Sequence, residues 1–145
     1  MKTSARNQFH GVIKTIKVGA THDEVVLSLS DEQTVTAMVT QESTAAMGLS
    51  VGKAAVALVK APWVVLCSPD DEYVYSTRNQ FTGKVAGVIK GAVNAEVFID
   101  VSAGLSMAAI VTNDSIDRLN IQLGGLVTAM FKASHVILAV KKKSQ

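Results

Sequence analysis

Arginine, lysine, serine and threonine residues recur along this chain at a constant offset of 72 positions, and together they could bind an anion. Arginine binds two oxygen atoms through a planar fork, and lysine supplies a compact positive charge. A hydroxyl group can turn its hydrogen towards a ligand. The recurring residues are Ser4 and Ser76, Arg6 and Arg78, Thr40 and Thr112, Ser43 and Ser115, and Lys60 and Lys132.

Apart from its hydroxyls, this set only donates hydrogen bonds, which favours a fully deprotonated oxyanion over one that still carries a proton. Glu24 and Glu96 also recur, but a carboxylate would repel such a ligand. We therefore assign the two glutamates to structural pairing on a strand. For the recurring amides two interpretations stay open, namely ligand binding and the capping of turns. These amides are Asn7, Gln8, Asn79 and Gln80.

The recurrence extends over most of the chain. Residues 4–67 align with residues 76–139 without a gap, and identical residues are clustered, as in the Arg-Asn-Gln-Phe motif at positions 6–9 and 78–81. An ungapped match of this length indicates a duplicated unit. An acidic stretch with one proline separates the copies and suits a linker. We predict a first domain over residues 1–68, a linker over 69–75 and a second domain over 76–141.

Each copy has the pattern of a small β domain. In the first copy, residues 9–17, 25–30 and 34–39 are rich in alternating apolar and β-branched side chains, and two shorter runs, 54–60 and 64–67, are separated at Pro62. Residues 41–47 favour a short helix, with Thr40 as its N-cap and Gly48 at its end, and Thr112 is the matching N-cap. The predicted fold is mainly β, with two tandem OB-like five-stranded β-barrel domains and one short helix in each.

Composition restricts the functional class. The chain has 145 residues, of which 48% are hydrophobic and 18% are charged, so it is globular. A net charge of +2 is too small to indicate a nucleic-acid binder. The N-terminus lacks an apolar leader and no apolar run has the length of a membrane span, so we expect a cytoplasmic chain with no membrane partner. Because such small domains bury little surface, we also expect a homo-oligomer.

Catalytic motifs are missing from the duplicated set. None of the three histidines, His10, His22 and His135, is matched by a histidine in the other copy, and Cys67 is the single cysteine. Gly52-Lys53 lacks the glycine spacing and the following hydroxyl residue of a phosphate-binding loop. We predict no enzymatic activity, no catalytic cofactor and no direct ligand of a metal cation.

The opening motif and two later motifs carry a resemblance to a known family. Ser4-Ala5-Arg6-Asn7-Gln8-Phe9 resembles the S/T-A-R-N-Q opening of the Mop domain, which is found in the molbindins. The Thr-x-x-Ser motif at Thr40 and Ser43, and Lys60-Ala61 before Pro62, also stand where that family has them. All three parts occur in order and occur twice. The chain is therefore similar to the tandem, two-domain molbindins.

The resemblance implies both a ligand and an assembly. It implies a homotrimer of OB-like barrels that binds molybdate, and tungstate as well, at domain and subunit interfaces for storage, buffering or homeostasis without catalysis. In that family the opening motif and the Lys/Ser/Thr set come from different domains. By position the resemblance nominates Ser4, Arg6, Thr40, Ser43 and Lys60, with Ser76, Arg78, Thr112, Ser115 and Lys132. Since Thr77 replaces Ala5 and Ser134-His135 replaces Pro62-Trp63, the two classes of site need not have equal affinity.

Other functional classes fit the sequence less well. The same domain occurs in a molybdate-responsive repressor and in a transporter ATPase, but the first needs a helix-turn-helix before Ser4 and the second needs a phosphate loop. An OB-type nucleic-acid binder uses exposed aromatic side chains on a basic face, whereas Phe9 and Phe81 form the single aromatic pair that both copies share. A purely structural oligomerisation module is the remaining alternative. Binding of molybdate would distinguish these classes.

Overall fold

A computed structural model describes residues 1–30, 33–102 and 104–142. Within them the chain is built mainly of strands, with two short α-helices and two short 3₁₀ turns. None of the helices in these ranges is long and apolar enough to cross a membrane. The strands are β1 (Asn7–Lys17), β2 (His22–Ser28), β3 (Thr34–Thr40), β4 (Ala54–Val59), β5 (Val65–Cys67), β6 (Asn79–Lys90), β7 (Asn94–Ser102), β8 (Leu105–Thr112), β9 (Leu126–Phe131) and β10 (Ile137–Ala139). The helices are α1 (Gln41–Ala46) and α2 (Asn113–Arg118), and the turns are Ala61–Trp63 and Ala133–His135.

The strands form two five-stranded sheets of matching design. One has the order β10-β4-β1-β2-β3 and the other has the order β5-β9-β6-β7-β8. Their inward-facing side chains alternate with outward-facing ones, as the period of a strand requires, and Val25, Leu27, Val97 and Ile99 are wholly buried. The predicted fold class, mainly β with two five-stranded OB-like domains and one short helix in each, is confirmed.

The shortest strand of each sheet comes from the other copy of the repeat. Strand β10, near the C-terminus, pairs antiparallel with β4, and Ile137 lies opposite Leu58. Strand β5, from the first copy, pairs in the same way with β9, and Val65 lies opposite Met130. The two compact units are accordingly mixed: one contains Met1–Asn7 and Lys60–Lys132, and the other contains Gln8–Val59 and the described residues from Ala133 onward.

The long strands β1 and β6 bend at equivalent positions. The register of β1 against β2 shifts between Ile13 and Thr15, and that of β6 against β7 shifts between Val85 and Gly87. Such bulges increase the local twist and allow a sheet to curl. Close to each bulge stands a glycine shared by both copies; a Cβ added to Gly11 would lie 2.5 Å from the carbonyl oxygen of Ser28. The shared glycines thus permit close approach of two backbones.

Candidate functional site

The ten nominated side chains are accessible to a ligand. Two of them, Ser43 and Ser115, are half-buried, and the other eight are exposed. They lie in three structural settings: the segments that lead into β1 and β6, the starts of the two α-helices, and the residue before each 3₁₀ turn.

The hydroxyl pairs cap the helices. Thr40 Oγ1 accepts a hydrogen bond from the Ser43 backbone N–H at 3.1 Å and donates one to Ser43 Oγ at 2.9 Å. Thr112 accepts from the Ser115 backbone N–H at 3.1 Å, and the two side-chain oxygens of that pair lie 2.8 Å apart. The predicted N-caps are confirmed. Each threonine hydroxyl therefore accepts a hydrogen bond from an N–H in the first turn of its helix. The same hydroxyl holds the serine hydroxyl in place.

The first helix ends before Gly48, as the sequence predicts, and the second helix ends in the same way. Gly48, directly after the C-cap of α1, has a φ of 62°, and Asn120 stands at the matching position after α2 with a φ of 51°. This left-handed conformation suits glycine and is tolerated by asparagine. The Lys53 ammonium donates to the backbone oxygens of Met47 and Gly48 at 2.9 and 3.2 Å, the two residues that directly follow the first helix.

Arg6 is held by a carboxylate from the second sheet. Its Nη2 lies 3.1 Å from Glu96 Oε2, and the side chain of Arg6 is 59% exposed whereas that of Glu96 is 17% exposed. Glu96 lies in the middle of β7, opposite Ile110 on β8. Glu96, which the sequence analysis assigned to structural pairing, thus pairs with the arginine of the opening motif.

Asn7, the next residue, is an anchor. It is 2% exposed, its Nδ2 donates to the carbonyl oxygen of Ala108 at 2.8 Å, and its Oδ1 accepts from the Ala108 N–H at 2.7 Å. A side-chain amide that bonds both backbone groups of one residue replaces a missing strand partner. Asn79 is buried to the same extent. Asn7 therefore has a structural role, although it pairs with a residue of β8 and does not cap a turn as one of the open interpretations expected.

Lys60 stands before the 3₁₀ turn that contains Pro62. Its Nζ lies 5.6 Å from the centre of the Trp63 ring, a cation–π arrangement that keeps the ammonium close to the turn. Lys132 stands before the equivalent turn, which ends in His135 rather than tryptophan. The two lysines therefore have different neighbours.

A second difference lies in α2. Arg118 Nε donates to Asp114 Oδ2 at 2.8 Å, and Arg118 Nη2 donates to Ser115 Oγ at 3.4 Å. The matching position in α1 is Ala46, so the first copy has no cation next to its serine hydroxyl in this helix. The two hydroxyl pairs have similar hydrogen-bond geometry, but the pair of α2 has the cation Arg118 beside it where α1 has Ala46.

The structure brings the nominated threonine and serine of each helix together and gives two of the nominated cations partners outside the nominated set. Each threonine contacts its serine, whereas within the described residues Arg6 bonds Glu96 and Lys60 lies over Trp63, so these contacts give the two cations different partners. Sequence reasoning missed Glu96 as the partner of Arg6. The signal that could have identified it was its recurrence at position 24 together with the arginine.

Comparisons with known proteins agree with the duplicated architecture. The family model of the TOBE domain matches residues 3–66 and again residues 75–138. The chain is 40% identical over 140 residues to the molybdenum-pterin-binding protein MopA of Rhodobacter capsulatus, covering 97% of this chain and 53% of MopA. It is also 40% identical over 142 residues to the molybdenum transport protein ModE of Herbaspirillum seropedicae, covering 98% of this chain and 53% of ModE. The chain thus spans about half the length of these curated relatives.

A solved structure matches over its full length. The chain is 41% identical to the cytoplasmic molybdate-binding protein ModG, whose crystal structure has molybdate bound. The two structures superpose with a TM-score of 0.94, and the match covers 97% of this chain and 100% of ModG. The comparisons confirm the resemblance drawn from the opening motif, and the chain belongs to the TOBE-domain family as a tandem, two-domain member of the molbindin type.

Proposed function

We propose that this chain binds molybdate, and tungstate as well, and that it stores or buffers the oxyanion in the cytoplasm without catalysing a reaction. The observation that carries the proposal is the duplicated, accessible set of two arginines, two lysines and two hydroxyl pairs, in a chain that matches a molybdate-bound protein over that protein's full length. The set supplies positive charge and hydrogen-bond donors, which is what a doubly charged oxyanion requires.

The residues proposed to contact the anion are the ten that the motifs nominate. In a single chain Arg6 and Lys60 are held by different partners, so we infer that a complete site needs residues from a neighbouring copy of the chain. Exposed apolar side chains support such an assembly, because they are apolar at matching positions in both copies. These pairs are Val51 with Leu123 and Val65 with Ile137.

A homotrimer is the proposed assembly. Size-exclusion chromatography with light scattering should give roughly three times the chain mass of 15.3 kDa. A monomer at micromolar concentration would contradict the inference that neighbouring copies complete the site.

The binding proposal is tested by measuring molybdenum directly. Protein purified from cells grown with molybdate should carry the metal in a fixed ratio to the chain, as measured by elemental analysis. Equilibrium dialysis of the stripped protein should show saturable binding of molybdate. A protein that retains no molybdenum and binds no molybdate would contradict the proposed function and favour a structural oligomerisation module.

A further inference from the structure

We propose that Glu96 is a positioning residue for Arg6, which holds the guanidinium group in the orientation in which it binds the oxyanion. The proposal rests on the proposed function and extends it from the residues that contact the anion to one that does not. A carboxylate near an anion site lowers affinity through its charge. For Glu96 this loss of affinity is smaller than the gain in affinity from orienting Arg6.

The first support is the unequal burial of the two partners. Glu96 lies between neighbouring strands on β7, opposite Ile89 of β6 and Ile110 of β8, so its backbone is fixed by both. Its side chain is 17% exposed, whereas the Arg6 side chain is 59% exposed. The carboxylate is therefore the fixed and sheltered end of the ion pair, and the guanidinium is the end that meets solvent.

The second support is the anchoring of the Arg6 backbone. Asn7 bonds both backbone groups of Ala108, a residue of β8 whose partner on β7 is Phe98, two positions after Glu96. The chain at Arg6 is thus attached to the same two strands that carry Glu96. With its backbone fixed by Asn7 and its tip held by Glu96, a long side chain loses less conformational freedom when a ligand binds.

The third support is the capacity of the guanidinium. Arginine carries five N–H donors in one plane, and the contact with Glu96 occupies Nη2. The remaining donors can bind an oxyanion in the fork geometry while the ion pair persists. The second copy retains both residue types, as Arg78 and Glu24, although most positions of the two copies differ.

The test compares three variants of the full-length chain by calorimetric titration with molybdate at fixed ionic strength. Glu96→Gln keeps an oxygen that accepts from Arg6 and removes the charge. Glu96→Ala removes both. Asp100→Asn is the matched control, because Asp100 is an exposed carboxylate on the same strand and lines, with Arg6 and Ser106, a cavity of about 190 Å³.

We expect Glu96→Ala to weaken binding at the affected class of sites at least about fivefold, although it removes a negative charge, because Arg6 loses its orientation. Glu96→Gln should bind as tightly as the unmodified chain or more tightly, and so should Asp100→Asn. In a chain that already carries Arg6→Ala, the change Glu96→Ala should have no further weakening effect.

Opposite results overturn the proposal. Binding by Glu96→Ala that is as tight as, or tighter than, that of the unmodified chain would show that the charge of Glu96 outweighs any orienting role. Equal weakening by Glu96→Gln and Glu96→Ala, accompanied by equal losses of melting temperature, would make the residue merely structural. Failure of the unmodified chain to bind molybdate would instead reject the proposed function.

Discussion

Neighbouring residues of the opening motif have different tasks. Asn7 is buried and joined by two hydrogen bonds to Ala108, whereas Arg6 is exposed and ends in an ion pair. The asparagine fixes where the arginine leaves the sheet, and the arginine faces solvent. Recurrence in both copies singled out both residues, nominating Arg6 for the proposed site and leaving two interpretations open for Asn7, because a structural anchor and a residue that binds a ligand can both be retained. Burial separates them.

Replacement of Arg6 should remove one class of site. Because a charge-assisted hydrogen bond contributes roughly 1.5–3 kcal/mol, Arg6→Ala should weaken molybdate binding at the affected sites about tenfold to more than a hundredfold. The Arg78 class should continue to work, so titration should show a reduced stoichiometry rather than a uniform loss of affinity. Arg6→Lys is the control for the charge, since lysine retains it without the fork.

The double variant, with alanine at both Arg6 and Arg78, should lose both classes of site and stay folded. Its circular dichroism spectrum should remain that of a β protein. If this variant binds molybdate with unchanged affinity and stoichiometry, the arginines are structural and the nominated site is wrong.

At the scale of the elements, sequence periodicity predicted the secondary structure of each segment but not the partner of every strand. The strands, the short helices and their threonine caps lie close to where alternation and capping residues place them. The exchange of β5 and β10 between sheets was not predicted. The strands have three residues each, with the sequences Val-Leu-Cys and Ile-Leu-Ala, and both follow the same kind of turn. Because the two strands are alike in length and apolar character, local sequence does not specify which sheet each of them joins.

Substitution of the N-cap threonine can distinguish its effect on helix stability from its effect on anion binding. Aspartate is as good an N-cap as threonine but carries a negative charge and donates no hydrogen bond. Thr40→Asp should therefore change the free energy of unfolding by less than about 0.5 kcal/mol while it weakens molybdate binding at least tenfold at one class of sites. Denaturant unfolding and titration measure the two effects, and Thr40→Ser should preserve both. Unchanged binding by Thr40→Asp would remove this hydroxyl pair from the proposed site.

The rate at which Cys67 reacts with a thiol reagent measures whether β5 separates from β9. It is buried at the end of β5, opposite Thr128, and burial together with the nearby charge of Asp71 raises the pKa of its thiol above the usual value. Since the thiolate is the reactive form, a thiol reagent should label the native chain slowly at pH 7–8 and faster as the pH rises, and rapidly after denaturation.

Ser68, the exposed next residue, supplies the control for this experiment. A chain that carries Cys67→Ser together with Ser68→Cys should be labelled rapidly in the native state. Labelling of native Cys67 at the same rate as this variant would mean that β5 does not stay paired with β9.

At the scale of the whole molecule, the duplicated chain carries two related but unequal sets of donors. Arg118 contacts the serine hydroxyl of α2 and has no counterpart in α1, and Lys60 lies over a tryptophan that the second copy replaces with His135. Lys53, which donates to the carbonyl oxygens that follow α1, is matched by Gly125. Duplication preserved the cations and hydroxyls of the motifs while their neighbours diverged. We therefore expect two classes of site with different affinities.

The composition of both sets leads to the same selectivity. Their cations only donate hydrogen bonds and their hydroxyls can donate as well, so a ligand that carries its own proton places a donor against donors. An unmatched donor in a desolvated site is costly. Molybdate and tungstate, which are proton-free dianions at neutral pH, should therefore compete with each other, whereas phosphate should compete poorly.

Competition dialysis at pH 7.5 with labelled molybdate tests this selectivity. Tungstate should displace the label at equal concentration, and phosphate should need at least a tenfold excess, since an unsatisfied buried donor costs about 1–3 kcal/mol. Sulfate has the same charge and no proton, so it is the control that separates recognition of the proton from recognition of size. If sulfate and phosphate compete equally poorly, cavity size decides; if phosphate displaces molybdate at equal concentration, the set does not act through donors alone.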